Sequence, residues 1–211
     1  MSILVILGAG GHGKVCADVA AKTGAFERIV FSDKAFRHGT VVASWPIAFH
    51  DEDLTDIDRV IHRFVIGVGQ TTTGHLRRTL FEWMIKQKIK STSVVSAEAS
   101  VGTDVEIGSG TFVGSLAIIN IGARVGVNCI VNSRALVEHD ATVGDHVHVS
   151  TGAILNGGVA IGDCCLVGSG AIVLPGIQVC ADAVIGAGSV VTHHIVEPGT
   201  YLGVPARRVR D

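Results

Sequence analysis

An aliphatic residue returns at every sixth position over nearly half of the chain. The series runs Val95, Val101, Ile107, Val113, Ile119, Val125, Val131, Val137, Val143, Val149, Leu155, Ile161, Val167, Val173, Val179, Ile185 and Val191, seventeen positions without an exception. The fifth position of each hexad is biased to small or β-branched residues, among them Ala99, Thr111, Ala117, Ala135, Ala153 and Ala171. Glycine recurs in the second position, at Gly102, Gly108, Gly114, Gly126, Gly144, Gly162, Gly168 and Gly186. The two-residue alternation of a lone strand does not produce this pattern. A six-residue repeat is one side of a parallel β-helix, with a short strand along each side and a tight turn at each corner. Three sides make a coil of eighteen residues, and coils stack at about 4.8 Å. Some five coils follow, with the first and fifth positions pointing inward. The second-position glycines are expected to serve corners that need φ > 0. A stack of this kind has open ends that need covers. The α/β half of the chain is expected over one end and the tail from Ile195 over the other.

The first ninety residues follow a different rule. "ILVIL" reads as a strand, "KVCADVAAKTG" as a helix closed by Gly24, and "RIVFSD" and "RVIHRFVIGVG" contain further strands. "GHLRRTLFEWMIKQ" places Leu76, Leu80, Trp83 and Met84 on one helical face. This alternation predicts a small Rossmann-like parallel sheet with helices. The expected division is 1–90 for that α/β domain, 91–194 for the β-helix and 195–211 for a capping tail. "GAGGHG", residues 8–13, fits G-x-G-x-x-G between a strand and a helix, and Asp33 lies twenty residues beyond Gly13. Read alone, that is a dinucleotide fingerprint and points to a nicotinamide-dependent enzyme. The mechanics are more general, because N–H groups at a helix N-terminus hold any diphosphate. Ninety residues are also short for both halves of a dinucleotide fold.

The formal net charge is −2 over 211 residues, which favours neither nucleic acid nor a membrane surface. No apolar run has the length of a membrane span, and "MSILVILGAGGHGK" lacks the charged start of an export signal. The five cysteines show no metal-ligand spacing and read as reduced, buried residues. A cytoplasmic protein without a metal is expected.

Three histidines ride on the outside of the hexads. His139 falls in a third position, followed by Asp140, and should face out near a corner. Eighteen residues on, one coil up, is Gly157. A neutral imidazole under a bare glycine N–H suits acyl transfer: the ring takes a proton from an attacking amine or hydroxyl, and the N–H holds the oxyanion. Asp140 or Glu138 would orient the ring. His146 and His148 also face out, as solvated residues on the plainest reading, and no nearby carboxylate or cysteine makes a zinc site with them. His148 is half a coil from His139, so the two can share a reaction only across a subunit interface, which predicts a closed trimer.

The hexad pattern resembles the hexapeptide-repeat acyltransferases, a family that implies a left-handed β-helix and a homotrimer. The segments "ILGAGGHGKVCADV", "VEHDATVGDHVHVSTGA", "GGVAIG" and "YLGVPARRV" resemble, within that family, the sialic-acid O-acetyltransferases and bacterial nucleotide-amino-sugar N-acetyltransferases. The resemblance implies an acetyl-CoA-dependent enzyme of surface-glycan synthesis that acetylates an amino group, at C4, of a nucleotide-linked amino-deoxy sugar. It implies His139 as general base tuned by Asp140, Gly157 N–H for the oxyanion, and His148 as an acetyl-CoA contact reaching the neighbouring subunit. Ser169 and Ala187, eighteen residues apart, would line the pantetheine arm. Arg207 and Arg208 would meet the coenzyme phosphates, unless they form a solvated basic tail. Gly10, Gly11 and His12 would take the sugar nucleotide's diphosphate, and Ser32 and Asp33 its base or ribose. This branch often carries two acids at that last pair, so Ser32 leaves UDP and dTDP both open. Gly67 and Gly69 would line the same pocket, or simply turn the chain at a strand end. Sialic acid O-acetylation, a nicotinamide-dependent oxidoreductase and a non-catalytic β-helix scaffold are the other readings.

Overall fold

The computed structural model describes residues 2–55, 57 and 60–209. Its first part is a five-stranded sheet built from β1 (Ile3–Leu7), β2 (Arg28–Ser32), β3 (Val41–Val42), β4 (Trp45–Phe49) and β5 (His62–Ile66), in the order β3-β4-β2-β1-β5. Central β1 pairs in parallel with β2 and β5, and its residues Leu4 to Ile6 are wholly buried, as a strand covered on both faces must be. Helix α1 (Gly11–Thr23) packs on the Leu4 and Ile6 side, and α2 (His75–Lys86) on the Val5 and Leu7 side. The sheet is mixed rather than all-parallel, because β3 and β4 form an antiparallel hairpin. Its two-residue turn includes Ala43 at φ 57° and carries no Asn-Gly or Asp-Gly signal in sequence.

The second part is a left-handed β-helix with three parallel faces. The first face runs from Ser100–Val101 to Val190–Val191, the second from Glu106–Ile107 to Gln178–Val179, and the third from Val94–Val95 to Ala183–Ile185. Each strand pairs with the one eighteen residues on, as in Ile118↔Leu136 and Ile130↔His148. Fourteen of the seventeen first-position residues are buried. Val95 and Ile107 are only partly so, and Val101 is 41% exposed. These three stand at the open start of the stack, where no previous coil covers them.

Two expectations about the coil are corrected by its backbone. The positive φ falls in the fourth position of every hexad from Asp104 to Gly188, and the second-position glycines have none. Those glycines answer to a different constraint. A Cβ on Gly102 would stand 2.7 Å from Ile121 N, and one on Gly168 2.5 Å from Ala187 N. The next coil passes too close for any side chain. The second correction concerns the cover. The α/β domain lies along the third face, not over an end: Val94, Phe112 and Ile130 share a core with Cys16, Ala17 and Ala20 of α1. Full burial of Phe112 and Ile130 stabilises this docking by roughly 2–3 kcal/mol apiece. At the far end, Ile195 exchanges backbone hydrogen bonds with Cys180 and Gln178, and Gly199–Leu202 adds a strand beside Ala183–Ile185.

Helix α2 also differs from its expected face. Arg77, Phe81 and Met84 are buried, while Leu76 is 61% exposed. The helix is wedged between its own sheet and a corner of the β-helix, and an arginine that finds acceptors there displaces the leucine from the inside. Among the described residues no helix is long and apolar enough to cross a membrane.

Candidate active site

His139 stands at the corner between the first and second faces, directly after the strand Leu136–Val137. Its carbonyl accepts the Gly158 N–H of the next coil at 3.0 Å, which sets the two corners one above the other. The Nδ1 atom lies 2.9 Å from Asp140 Oδ2. Asp140 sits at φ 59°, and that turn brings its carboxylate back beside the ring. Glu138 is engaged elsewhere, by Asn120 Nδ2 at 2.8 Å and by the His139 N–H at 3.2 Å. Asp140, not Glu138, is therefore the carboxylate in contact with the ring. With Nδ1–H donated to a carboxylate, the neutral ring presents a lone pair on Nε2. The hydrogen bond to Asp140, and then the charges of Asp140 and Glu138, hold the His139 pKa above its ordinary value.

Gly157 is where the repeat arithmetic puts it. A Cβ there would lie 2.6 Å from His139 Nε2 and 2.7 Å from Cε1, so only glycine leaves the ring its place. The Gly157 N–H makes no hydrogen bond among the described residues. A proton acceptor and a bare donor thus share one solvent-facing corner, which is the minimum an acyl transfer requires.

His146 and His148 do leave the prism, but they are 8% and 9% exposed because the α/β domain covers them. His148 Nδ1 is 3.0 Å from Gln70 O, and its Nε2 is 3.3 Å from Asn132 Nδ2. Burial lowers its pKa to about 4. His146 rests on the Phe81 ring and is 2.9 Å through Nδ1 from Asn128 Nδ2. Within one chain, only a thin edge of His148 is open to a ligand.

The glycine turn of the α/β domain meets the prism beside that histidine. Gly10 and Gly11 are exposed at the N-terminus of α1, and a Cβ on either would meet nothing within 4 Å. His12 packs its ring edge-on to Phe112 at 5.1 Å, and its pKa falls to about 3, by burial first and then by the charge of Arg77. Arg77 is 1% exposed and has no acidic partner among the described residues. Its guanidinium donates to Ile66 O, Val68 O and Asn128 Oδ1 at 3.0, 2.6 and 2.7 Å. A buried cation and a helix N-terminus together make the Gly10–Gly11 turn attractive to anions.

Ser32 and Asp33 lie at the carboxyl end of β2 and line a cavity of about 710 Å³, with Gly8, Lys34, Glu52 and Trp83. That is the usual ligand crevice of an open α/β sheet. Asp33 is partly committed: Oδ2 accepts the Ala9 N–H and Oδ1 the Ala35 N–H, both at 2.9 Å. Gly67 does not line this space. It is buried, and a Cβ there would come within 2.6 Å of Gly8 O and 2.9 Å of Gly13 Cα, so its size serves the packing of β5 against the glycine turn. Gly69 is exposed beside His12.

Ser169 and Ala187 are exposed and stacked, with the Gly188 N–H donating to Ser169 O at 2.9 Å. They occupy the corner between the third and first faces, away from His139. Arg207 is exposed in the tail. Arg208 is 2.9 Å from Glu197 Oε2. One chain therefore joins His139, Asp140 and Gly157, and separately the glycine turn and His148, but it does not join these sets to Ser169 and Ala187. The sequence reading missed Gln70, Arg77 and Asn128, which couple the two halves. A lone arginine in an apolar helical stripe was the only signal.

The first part of the chain, residues 3–84, matches the family model of the PglD N-terminal domain. Residues 158–193 match the hexapeptide repeat of succinyl-transferase. No curated protein sequence matches the chain. Among solved structures, the acetyltransferase domain of PglB from Neisseria gonorrhoeae superimposes with a TM-score of 0.93 at 30% identity, over 99% of this chain and 100% of that one. The same domain in complex with acetyl coenzyme A gives 0.92 at 31%, over 98% of both chains. A point mutant of perosamine N-acetyltransferase from Caulobacter crescentus, in complex with CoA and GDP-perosamine, gives 0.92 at 28%, over 100% of this chain and 98% of that one.

Proposed function

This chain belongs to the hexapeptide-repeat nucleotide-amino-sugar N-acetyltransferases, and from that premise we propose how its residues divide the work. The protein is an acetyl-CoA-dependent N-acetyltransferase acting on a nucleotide-linked amino sugar. The nicotinamide-dependent and scaffold readings of the sequence give way to that membership. Acetyl-CoA supplies an acyl thioester, whose carbonyl carbon takes the amine and whose sulfur leaves.

His139 is the general base. Its Nε2 accepts the proton that the amine sheds as the C–N bond forms, while Asp140 holds Nδ1–H and steadies the charged ring. The Gly157 N–H receives the carbonyl oxygen as negative charge gathers there. The observation that carries this reading is the fit of His139 Nε2 against the bare face of Gly157, with Asp140 on the opposite nitrogen. Neither group reacts covalently, so transfer is direct. The sugar nucleotide lies with its diphosphate at Gly10, Gly11 and His12 and its base or ribose toward Ser32 and Asp33. The amine acetylated is the one at C4. His148, Ser169, Ala187 and Arg207 contact the coenzyme, and because these lie on other faces and corners than His139, the complete cleft forms between copies of the chain in a cyclic trimer.

The test is a panel of acceptors read by thiol release. UDP-, dTDP- and GDP-linked 4-amino sugars are compared with sugars carrying the amine elsewhere and with free or CMP-linked sialic acid. Turnover of one 4-amino sugar nucleotide, lost by a factor of about 10² or more in His139→Ala, is the expected result. Equal turnover by the variant would remove the base, and acetylation of sialic acid alone would remove the substrate class. Sedimentation under assay conditions should show a trimer, and a fully active monomer would remove the shared cleft.

A further inference from the structure

We propose that His75, Cys164 and Asp182 form a zinc-class metal site that staples the start of α2 to the β-helix. The three ligand atoms, one from each side chain, lie within 4.8 Å of one another. They come from three separate pieces of chain: the first turn of α2 and two successive coils at the corner between the second and third faces. Hence no ligand spacing is visible in the sequence.

The geometry has the dimensions of a metal site. His75 Nε2 and Asp182 Oδ1 are 3.1 Å apart, yet that oxygen is shielded from solvent and accepts no hydrogen bond. Two ligands on a tetrahedral zinc with bonds of about 2.0 Å stand about 3.3 Å apart, so the pair is spaced as the edge of a coordination shell. Cys164 is 2% exposed and supplies sulfur from the inner side. The backbones are already fixed. The Gly74 N–H donates to Cys164 O at 2.9 Å, and the Asp182 N–H to Asp163 O at 2.9 Å. Gly74 has no room for a Cβ against His146 O, which holds the start of α2 against this corner.

Cys164 and Asp182 also occupy fourth positions, at φ 60° each. The corresponding corners of the later coils elsewhere carry Gly152, Gly158, Gly170, Gly176 and Gly188. Binding converts the Cys164 thiol to thiolate and releases its proton to solvent. One thiolate and one carboxylate balance a divalent charge, with neutral imidazole as third ligand and water as fourth. Arg78 approaches the thiol and also pairs with Glu82, its Nε 2.7 Å from Oε1, so a metal takes the place of the guanidinium beside the sulfur. A second cluster, His38, His50 and Asp53, is less free: His50 Nε2 is 2.9 Å from Phe36 O, and Asp53 Oδ2 accepts the His50 N–H at 2.7 Å. It serves as the internal control.

The experiment uses the untagged full chain, stripped with chelator and titrated with Co²⁺ and with Zn²⁺. Expected are one ion per chain, a thiolate-to-cobalt charge-transfer band, and a higher melting temperature with zinc. Cys164→Ser should abolish the band. His75→Gln and Asp182→Asn should each weaken binding about tenfold or more, and His50→Gln should leave it unchanged. His75 is exposed, so its variant reports even if Cys164→Ser fails to fold. No binding by the wild type, or binding lost in His50→Gln but kept in His75→Gln, would overturn the site.

Discussion

At the scale of single residues, His139 and Asp140 are neighbours in sequence, yet their pairing depends on one torsion. Only with Asp140 at φ 59° does its carboxylate swing back to Nδ1. The raised His139 pKa has a direct consequence for rate. As the proposed base, His139 works only when neutral, so kcat/KM should fall as pH drops through that pKa. Asp140→Asn removes the charge and the strong acceptor and lets the pKa sink, so the acidic limb of the profile should move to lower pH while the maximal rate falls. An unmoved limb would mean that another group sets it.

The same scale explains the two kinds of glycine. Those in second positions are small because another backbone passes over them, except Gly186, which lies under the Leu202 side chain. Fourth positions need φ > 0, which costs a side-chain residue about 1 kcal/mol. Eight fourth positions from Asp104 to Asp182 are not glycine. Of these, Asn128, His146, Cys164 and Asp182 all face α2, so contacts with the helix offset the strain there.

At the scale of elements, α2 is the hinge pin between the two halves. Its Arg77 threads a charge through an apolar contact and satisfies carbonyl groups at Ile66, Val68 and Asn128. Asn128 answers by donating Nδ2–H to Arg77 O at 3.0 Å. Arg77→Met keeps the volume but strands these acceptors, each a buried polar group with no new partner. Loss of about 3 kcal/mol or more is expected in urea unfolding. A midpoint equal to wild type would show that apolar packing alone holds the helix.

At the scale of the whole molecule, the docked interface is closed to protons. His12 and His148 stay neutral in the folded state, with pKa values near 3 and 4, but would protonate near 6.5 in an unfolded chain. Between pH 6.5 and about 4 the unfolded state therefore binds more protons, and stability falls as pH falls. The melting temperature should drop steeply below pH 6.5. His148→Gln, which cannot take the proton, should flatten that slope. An unchanged slope in the variant would place the titrating group elsewhere.

The β-helix was legible because its rule is local. Each coil contacts only the coil before and after it, so one six-residue pattern repeats wherever the same inward environment repeats, and spacing alone puts His139 under Gly157. Strands β1, β2 and β5 and helix α1 were readable for the same reason, whereas the β3–β4 hairpin was not. The docking of the two halves obeys no period. Whether His148 faces water or Gln70, whether Gly67 lines a pocket or packs under Gly8, and whether His75 meets Cys164 depend on groups far apart in the chain. Their proximity follows from how two finished surfaces fit, and only the tertiary structure decides that.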